Sequence, residues 1–86
     1  MGAPRVVMYA VDWCSYCSRA RQLLDSKGVA FEEIDVEAVP GALEEMTARS
    51  GGRSSLPQIF IGERHIGGYD ELHALDAAGD LDPLLK

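Results

Sequence analysis

The chain has 86 residues, 47% of them hydrophobic, which is enough for one small domain (residues 1–86) around one compact core. Fourteen acidic against eight basic residues give a net charge of -6, which argues against nucleic acid as the main partner. No apolar stretch approaches the roughly 20 residues of a membrane helix, and Asp12 interrupts the only short apolar run near the N-terminus. Neither a membrane location nor secretion is therefore expected, and two cysteines without a disulfide scaffold favour the reducing cytoplasm.

Apolar patterning predicts elements in the order β-α-β-α-β-β-α, followed by a short terminal helix. The strands are predicted over residues 6–11, 30–36, 58–61 and 64–66. The helices are predicted over residues 15–27, 40–50, 70–78 and 82–85, with Pro40 in the first turn of the second. Gly28 and Gly79 follow the last turns of two helices, where glycine often ends them. Gly62-Glu63 suits a two-residue type II′ hairpin turn.

The order of the elements limits the sheet topology. Right-handed crossover places the first strand inside the sheet and the second at its edge, where Glu32 and Glu33 are tolerated. A Cys-x-x-Cys pair beside a βαβ pattern is typical of thioredoxin-like redox proteins. The predicted fold class is α/β, a thioredoxin fold whose four-stranded mixed sheet is flanked by helices on both faces.

Cys14 and Cys17 lie where the first strand gives way to the first helix. Free N–H groups and the positive end of the macrodipole favour a thiolate at Cys14, whereas Cys17, one turn further on, faces the sheet. Thiol–disulfide exchange is therefore the predicted chemistry, with Cys14 attacking and Cys17 resolving. Structural zinc is the weaker hypothesis, since only His65 and His73 could complete the site and their separation exceeds the usual three to five residues.

The segment Leu56-Pro57-Gln58 precedes the third strand. A proline is permitted at a strand's first residue, so a plain strand entry is one interpretation. The other is a cis peptide between Leu56 and Pro57, which would present the Leu56 backbone beside the thiols as an edge for a peptide-like ligand.

A double glycine opens the third helix in the segment 67–71 (Gly-Gly-Tyr-Asp-Glu). Asp70 is the predicted N-cap of that helix. The glycines also let a ligand approach the backbone closely, and free N–H groups at the helix start are suited to hold a carboxylate.

Taken together, residues 14–17 (Cys-Ser-Tyr-Cys), 56–61 (Leu-Pro-Gln-Ile-Phe-Ile) and 67–71 resemble the glutaredoxins, specifically the small bacterial dithiol class. The resemblance covers nearly the whole chain. It implies an enzyme with glutathione as co-substrate that reduces protein–glutathione mixed disulfides and protein disulfides. It also implies a monomer whose partners are glutathione and proteins carrying such disulfides.

The resemblance gives individual residues a role. Cys14 matches the nucleophile and Cys17 the resolving cysteine. The Leu56 backbone matches the partner of the cysteinyl part of glutathione, and Gln58 is a contact for the glycyl carboxylate. Asp70, with the Gly68 and Tyr69 backbone, matches the group that receives the γ-glutamyl end. The full set of implied glutathione contacts is Tyr16, Leu56, Pro57, Gln58, Gly68, Tyr69 and Asp70.

Three positions depart from the family pattern. Ser15 stands where proline is usual, and Ser55-Leu56 replaces the common Thr-Val. Val11 stands where family members generally carry a lysine, so no cation precedes Cys14, and Arg49 or Arg53 are the candidates to replace it.

Two alternatives to a glutathione-dependent enzyme stay open. Thioredoxin proper shares the fold but usually has Gly-Pro between its cysteines. Some glutaredoxins hold a [2Fe–2S] cluster between two subunits through the first cysteine of each and two glutathiones. Here that cysteine would be Cys14, and the protein would then be a dimer.

Overall fold

Residues 4–86 are described by a computed structural model of the chain. The strands are β1 (Val6–Ala10), β2 (Glu32–Asp35), β3 (Gln58–Ile61) and β4 (Arg64–Gly67). The helices are α1 (Ser15–Ser26), α2 (Ala42–Arg49), α3 (Tyr69–Ala77) and α4 (Leu81–Leu84). In this part of the chain no helix has the length and apolarity needed to cross a membrane.

The four strands form one mixed sheet in the order β2-β1-β3-β4. β1 runs parallel to β2 and antiparallel to β3, and β3 runs antiparallel to β4. The prediction that the first strand is internal and the second lies at the edge is confirmed. All five residues of β1 are buried, whereas β2 begins with exposed glutamates, as an edge strand tolerates.

Alternate residues of the central strands point to opposite faces, so the sheet has two cores. On one face, β1, β3 and β4 pack against α1, α3 and α4. The buried residues there are Val6, Met8, Ala10, Cys17, Ala20, Leu24, Ile59, Ile61, Ile66, Leu72, Leu81 and Leu85. On the other face, Met46 of α2 packs on Val7, Tyr9 and Phe60. The predicted arrangement with helices on both faces is confirmed.

The hairpin between β3 and β4 has the predicted turn. Ile61 pairs with Arg64, which leaves Gly62 and Glu63 as a two-residue loop. Gly62 has φ 60°, and no non-glycine residue from position 4 onward has a positive φ. A positive φ at the first loop residue alone is the signature of a type II′ turn.

The start of α2 was predicted wrongly. Pro40 was expected in its first turn, but the helix begins at Ala42 and Pro40 lies in the preceding turn. The reason is Gly41, the N-cap, whose left-handed φ of 80° changes the chain direction immediately before the helix.

Candidate active site

Cys14 is the N-cap residue of α1. Its backbone is extended, with φ -98° and ψ 118°, and its sulfur accepts a hydrogen bond from the Cys17 N–H at 3.2 Å. That N–H is one of the donors that a helix start leaves without a carbonyl partner. The Cys14 side chain is partly exposed. The sulfur is thus accessible to substrate and lies where a helix stabilises negative charge.

Cys17 has the opposite environment. It is fully buried and belongs to the core formed with α1, α3 and α4. Burial, together with the hydrogen bond to Cys14, raises the pKa of the Cys17 thiol from 9.0 to about 12. Cys17 is therefore protonated at neutral pH, and the two cysteines differ in access, since Cys14 is partly exposed and Cys17 is buried.

A loop without helix or strand, residues 53–57, approaches Cys14 from the side of β3. The Leu56–Pro57 peptide bond is cis, which decides between the two interpretations of this segment. The Leu56 carbonyl oxygen lies 4.0 Å from the Cys14 sulfur. The loop therefore places a backbone edge directly beside the thiol.

A cavity of about 220 Å³ lies between this loop, α1 and the start of α3. It is lined by Tyr16, Arg53, Ser55, Leu56, Pro57, Gly68, Tyr69, Asp70 and Glu71. Six of the nine residues predicted for the site, among them Tyr16, Leu56 and Asp70, are thus gathered around one space. Cys14 lies at its margin, where its sulfur is 4.0 Å from the Leu56 carbonyl oxygen, whereas Cys17 is buried in the core.

The start of α3 differs in detail from the prediction. The N-cap is Gly68, and Asp70 lies within the first turn as an exposed residue. Glu71 takes the capping role instead, because its carboxylate accepts a hydrogen bond from the Gly68 N–H at 2.6 Å. The separation of three residues between N-cap and glutamate is that of a capping box, and it could have identified Glu71 from the sequence.

Opposite charges line the cavity. Arg53 donates to the Glu71 carboxylate at 3.2 Å, and Asp70 lies one residue before Glu71. The hydrogen bond from the Gly68 N–H and the guanidinium of Arg53 hold the pKa of Glu71 below its usual value. The cavity thus combines a cation, carboxylates and the free N–H groups of a helix start.

Of the two arginines considered as substitutes for a lysine at position 11, only Arg53 lines this cavity. Arg49 lies on the other face of the sheet, where its guanidinium stacks on Phe60 at 4.2 Å and donates to the Tyr9 hydroxyl at 2.8 Å. Val11 itself is buried and cannot be an open site for an anion.

Gln58 is not among the residues that line the cavity. It is fully buried at the start of β3. Its amide is bonded to Ser55 and His65. A residue that is already satisfied by protein groups is not available to a ligand, so its placement does not support the predicted contact with a glycyl carboxylate.

Trp13 is the most exposed large apolar side chain of the described residues, at 74%. Its indole N–H donates to the Glu37 carboxylate at 2.9 Å, which ties the residue before Cys14 to the turn after β2. This hydrogen bond connects the segment just before the nucleophile to the loop between β2 and α2.

The sequence and the fold were compared with those of known proteins, and the matches point to one family. The family model for glutaredoxin matches residues 6–66. A glutaredoxin of Pseudomonas aeruginosa is 54% identical over 83 residues, which cover 96% of this chain and 98% of the relative. The solution structure of glutaredoxin from Brucella melitensis has a TM-score of 0.85 and 49% identity, covering 100% of this chain and 92% of the other.

A more distant structure, the crystal structure of a buckwheat glutaredoxin–glutathione complex, has a TM-score of 0.86 and 29% identity. It covers 96% of this chain and 76% of that one. These similarities confirm the predicted thioredoxin fold. With the Cys14–Cys17 pair at a helix start, they establish that this chain belongs to the glutaredoxin family of thiol redox proteins.

Proposed function

We propose that this protein is a glutathione-dependent thiol–disulfide oxidoreductase that reduces protein–glutathione mixed disulfides and protein disulfides. Its main support is the position of the Cys14 sulfur, which accepts a helix N–H at 3.2 Å and lies 4.0 Å from the Leu56 carbonyl at the margin of the cavity. An accessible sulfur at a helix start, next to a buried thiol, is suited to attack a disulfide.

The cavity offers a partner for each charged group of glutathione. Asp70 can receive the α-amino group of the γ-glutamyl end, and the N–H groups of the first turn of α3 can receive its carboxylate. Leu56 provides a backbone edge for the cysteinyl part. Arg53, which replaces Gln58 in this role, can receive the glycyl carboxylate.

With these contacts, the γ-glutamyl end of glutathione would lie at the start of α3 and its cysteinyl part along the Leu56 edge, so that its sulfur would face Cys14. The buckwheat relative is a glutathione complex with the same fold, which supports this class of ligand.

The proposed reaction on a glutathionylated protein has two steps. The Cys14 thiolate attacks the glutathionyl sulfur, the mixed disulfide breaks, and the substrate cysteine leaves as a thiolate that takes a proton from water. A second glutathione thiolate then attacks the glutathionyl sulfur bound to Cys14. The Cys14 thiolate is regenerated, and glutathione disulfide is the oxidised product.

A protein disulfide follows a different second step. After Cys14 has formed a mixed disulfide with the substrate, the Cys17 thiol attacks the Cys14 sulfur and its proton passes to the departing substrate sulfur. The product is a Cys14–Cys17 disulfide, which two glutathiones reduce while they form glutathione disulfide. In the free dithiol, burial and the hydrogen bond to Cys14 raise the pKa of Cys17, so the step is written with the thiol and with the departing sulfur as the acceptor of its proton.

The direct test measures turnover of a glutathionylated peptide with glutathione as reductant, in wild type, Cys14→Ser and Cys17→Ser. Turnover in the wild type and Cys17→Ser, with none in Cys14→Ser, is expected. Turnover by Cys14→Ser would reject the proposal. Reduction of the Cys14–Cys17 disulfide by thioredoxin reductase but not by glutathione would instead favour a thioredoxin-like reductant.

A second candidate is a [2Fe–2S] cluster held between two copies of the chain. Ser15 is the first residue of α1 and, unlike the proline that family members usually have there, it has a backbone N–H. Within residues 4–86 no group of three or more His, Cys, Asp or Glu side chains is placed to hold a metal ion. As the resemblance to cluster-binding glutaredoxins implies, the ligands would be Cys14 of both copies and the thiols of two glutathiones.

Anaerobic reconstitution with iron, sulfide and glutathione tests this candidate. A coloured dimer that loses both its absorbance and its dimeric state in Cys14→Ser is expected if a cluster is bound. A colourless monomer under the same conditions would reject it.

A further inference from the structure

Gln58 is a primary amide with no exposed surface at the start of β3, next to the central strand. An amide in such a place destabilises the fold unless its donors and acceptor are all bonded. Gln58 meets this requirement in full. Its Nε2 donates to the Ser55 carbonyl at 3.0 Å and to the Ser55 hydroxyl at 3.1 Å, and its Oε1 lies 2.7 Å from His65 Nε2.

These bonds fix the direction of the hydrogen bond with His65. Both N–H groups of the Gln58 amide point to Ser55, so the oxygen faces His65 and can only accept. The imidazole must then carry a proton on Nε2. Its ring also stacks on Phe60, with centroids 4.9 Å apart, and this contact fixes the plane of the ring.

The chain of hydrogen bonds ends at the loop that flanks the nucleophile. Ser55 is exposed and belongs to a segment without helix or strand. The next residue, Leu56, places its carbonyl oxygen 4.0 Å from the Cys14 sulfur. Two hydrogen bonds from the buried Gln58 amide therefore connect a rigid strand to the residue immediately before the ligand-binding edge.

We infer that Gln58 and His65 are positioning residues, which hold the Ser55–Leu56 backbone at the distance from Cys14 that a bound glutathionyl group requires. Neither residue contacts the reacting sulfurs. The inference rests on the proposed use of the Leu56 edge by glutathione. It adds that His65 of β4, through Gln58, holds this edge in position.

His65→Phe tests this role, because phenylalanine keeps the stack on Phe60 but removes the proton donor to Gln58. We expect the KM for a glutathionylated peptide to rise roughly tenfold, as for loss of a buried hydrogen bond, with kcat within about twofold. Alkylation of Cys14 by iodoacetamide, which does not use the Leu56 edge, should keep its wild-type rate. His65→Gln, whose amide can donate in place of Nε2, should restore the KM.

A second pair of variants applies if His65→Phe fails to fold. Ser55→Ala removes one acceptor of the Gln58 amide, and Ser54→Ala is its exposed neighbour and matched control. Ser55→Ala should raise the KM, by less than His65→Phe, and Ser54→Ala should leave it unchanged. Equal effects of the two alanines, or an unchanged KM in His65→Phe, would overturn the inference.

Backbone amide spectra separate this inference from the proposed function. In 1H–15N NMR, His65→Phe should shift the amide resonances of Ser55 and Leu56, whereas His65→Gln should leave them near their wild-type positions. This result does not depend on any activity. Unshifted Ser55 and Leu56 amides in a folded His65→Phe would refute the positioning role, even if the wild-type protein turns over glutathionylated peptide. If the amides shift but the wild-type protein shows no such turnover, only the proposed function is refuted.

Discussion

The Cys17 backbone N–H donates to the Cys14 sulfur at 3.2 Å, while the Cys17 side chain is buried in the core. Residue 17 therefore acts on the nucleophile in two separable ways, through its main chain and through its thiol. The main-chain bond survives any substitution at position 17 other than proline, since only proline lacks the N–H. Cys17→Ser and Cys17→Ala thus remove the thiol and leave the helix-start environment of Cys14 in place.

The difference in access predicts selective alkylation. Cys14 is partly exposed, whereas Cys17 is fully buried and protonated at neutral pH because burial raises its pKa to about 12. Iodoacetamide at pH 7.5 should label Cys14 at least about 100-fold faster than Cys17 in the reduced protein, since only the thiolate reacts. Peptide mass mapping at short times measures both rates. Comparable labelling of the two cysteines in the folded state would contradict the assignment of Cys14 as nucleophile.

The raised pKa of Cys17 predicts a loss of stability at high pH. The unfolded chain releases this proton near its ordinary pKa of 9.0, and the folded chain only near 12. The stabilising contribution is therefore complete below about pH 9 and falls as pH rises toward 12. Because the unfolded state binds fewer protons there, the free energy of unfolding should fall by up to about 1.4 kcal/mol per pH unit from this group.

Urea unfolding of the reduced protein between pH 8 and about 10.5 measures this slope, with Cys17→Ala as the control. The variant keeps Cys14 and every other titrating group, so the difference between the two slopes isolates Cys17. Parallel pH dependence in the two proteins would show that the buried thiol is not the cause.

Sequence patterning predicted that β1 is internal, that β2 lies at the edge and that β3 and β4 form a hairpin, because these features follow from strong constraints. β1 is apolar throughout and β2 begins with glutamates, and right-handed crossover then allows few arrangements. The Gly62 turn and the site segments around Leu56 and Gly68 also follow from local residue types. The fold and most of the cavity lining could therefore be predicted.

Other features depend on three-dimensional partners that patterning does not reveal. Gln58 resembles a ligand contact in the sequence, but β3 turns it inward, and His65, seven residues away on β4, bonds to it. Arg49 and Arg53 are equivalent candidates by sequence, yet the sheet separates them onto different faces. Asp70 has the residue type of an N-cap, but Glu71 can reach the Gly68 N–H. In each case a tertiary contact decided between local alternatives.

The close packing of Gly67 against Glu71 predicts a costly substitution. Gly67 has φ 117°, and a β-carbon there would overlap the Glu71 carboxylate. Gly67→Ala should lower the free energy of unfolding by at least about 2 kcal/mol, from backbone strain and from displacement of the helix cap. Gly79→Ala is the matched control, because Gly79 has φ 78° and open space around it. It should lose only about 1 kcal/mol.

Urea unfolding of both alanine variants gives the comparison. Similar losses in the two would indicate that backbone conformation alone is responsible, and that the Glu71 carboxylate readily moves away from Gly67.

Arg53 should control the affinity for glutathione. It is the cation of the cavity lining, and its bond to Glu71 holds it at the rim. Arg53→Ala should raise the KM for glutathionylated peptide by roughly tenfold, as expected for loss of a charge-assisted hydrogen bond, with a smaller effect on kcat. The loss should shrink at high salt, which screens the wild-type interaction. Arg64→Ala removes an equal charge at the β3–β4 turn and should have no effect, so a matching rise there would point to net charge instead.

Cys17→Ser should separate the two proposed activities. A glutathionyl group on Cys14 can be removed by a second glutathione, so this variant should keep or exceed the wild-type rate on a glutathionylated peptide. An excess would arise because Cys14–Cys17 ring closure no longer competes. A protein disulfide gains from internal resolution, since a thiol three residues away acts at high effective concentration, and this activity should fall at least about tenfold.

Both rates are measured on the same folded preparation, with insulin as the protein disulfide and Cys17→Ala as a second variant. Serine and alanine should agree, because the Cys14 sulfur keeps the N–H of residue 17 in either case. Equal loss of both activities, in variants whose iodoacetamide labelling of Cys14 is unchanged, would show that Cys17 is needed for every turnover. The assignment of Cys17 as a resolving thiol for protein disulfides alone would then be wrong.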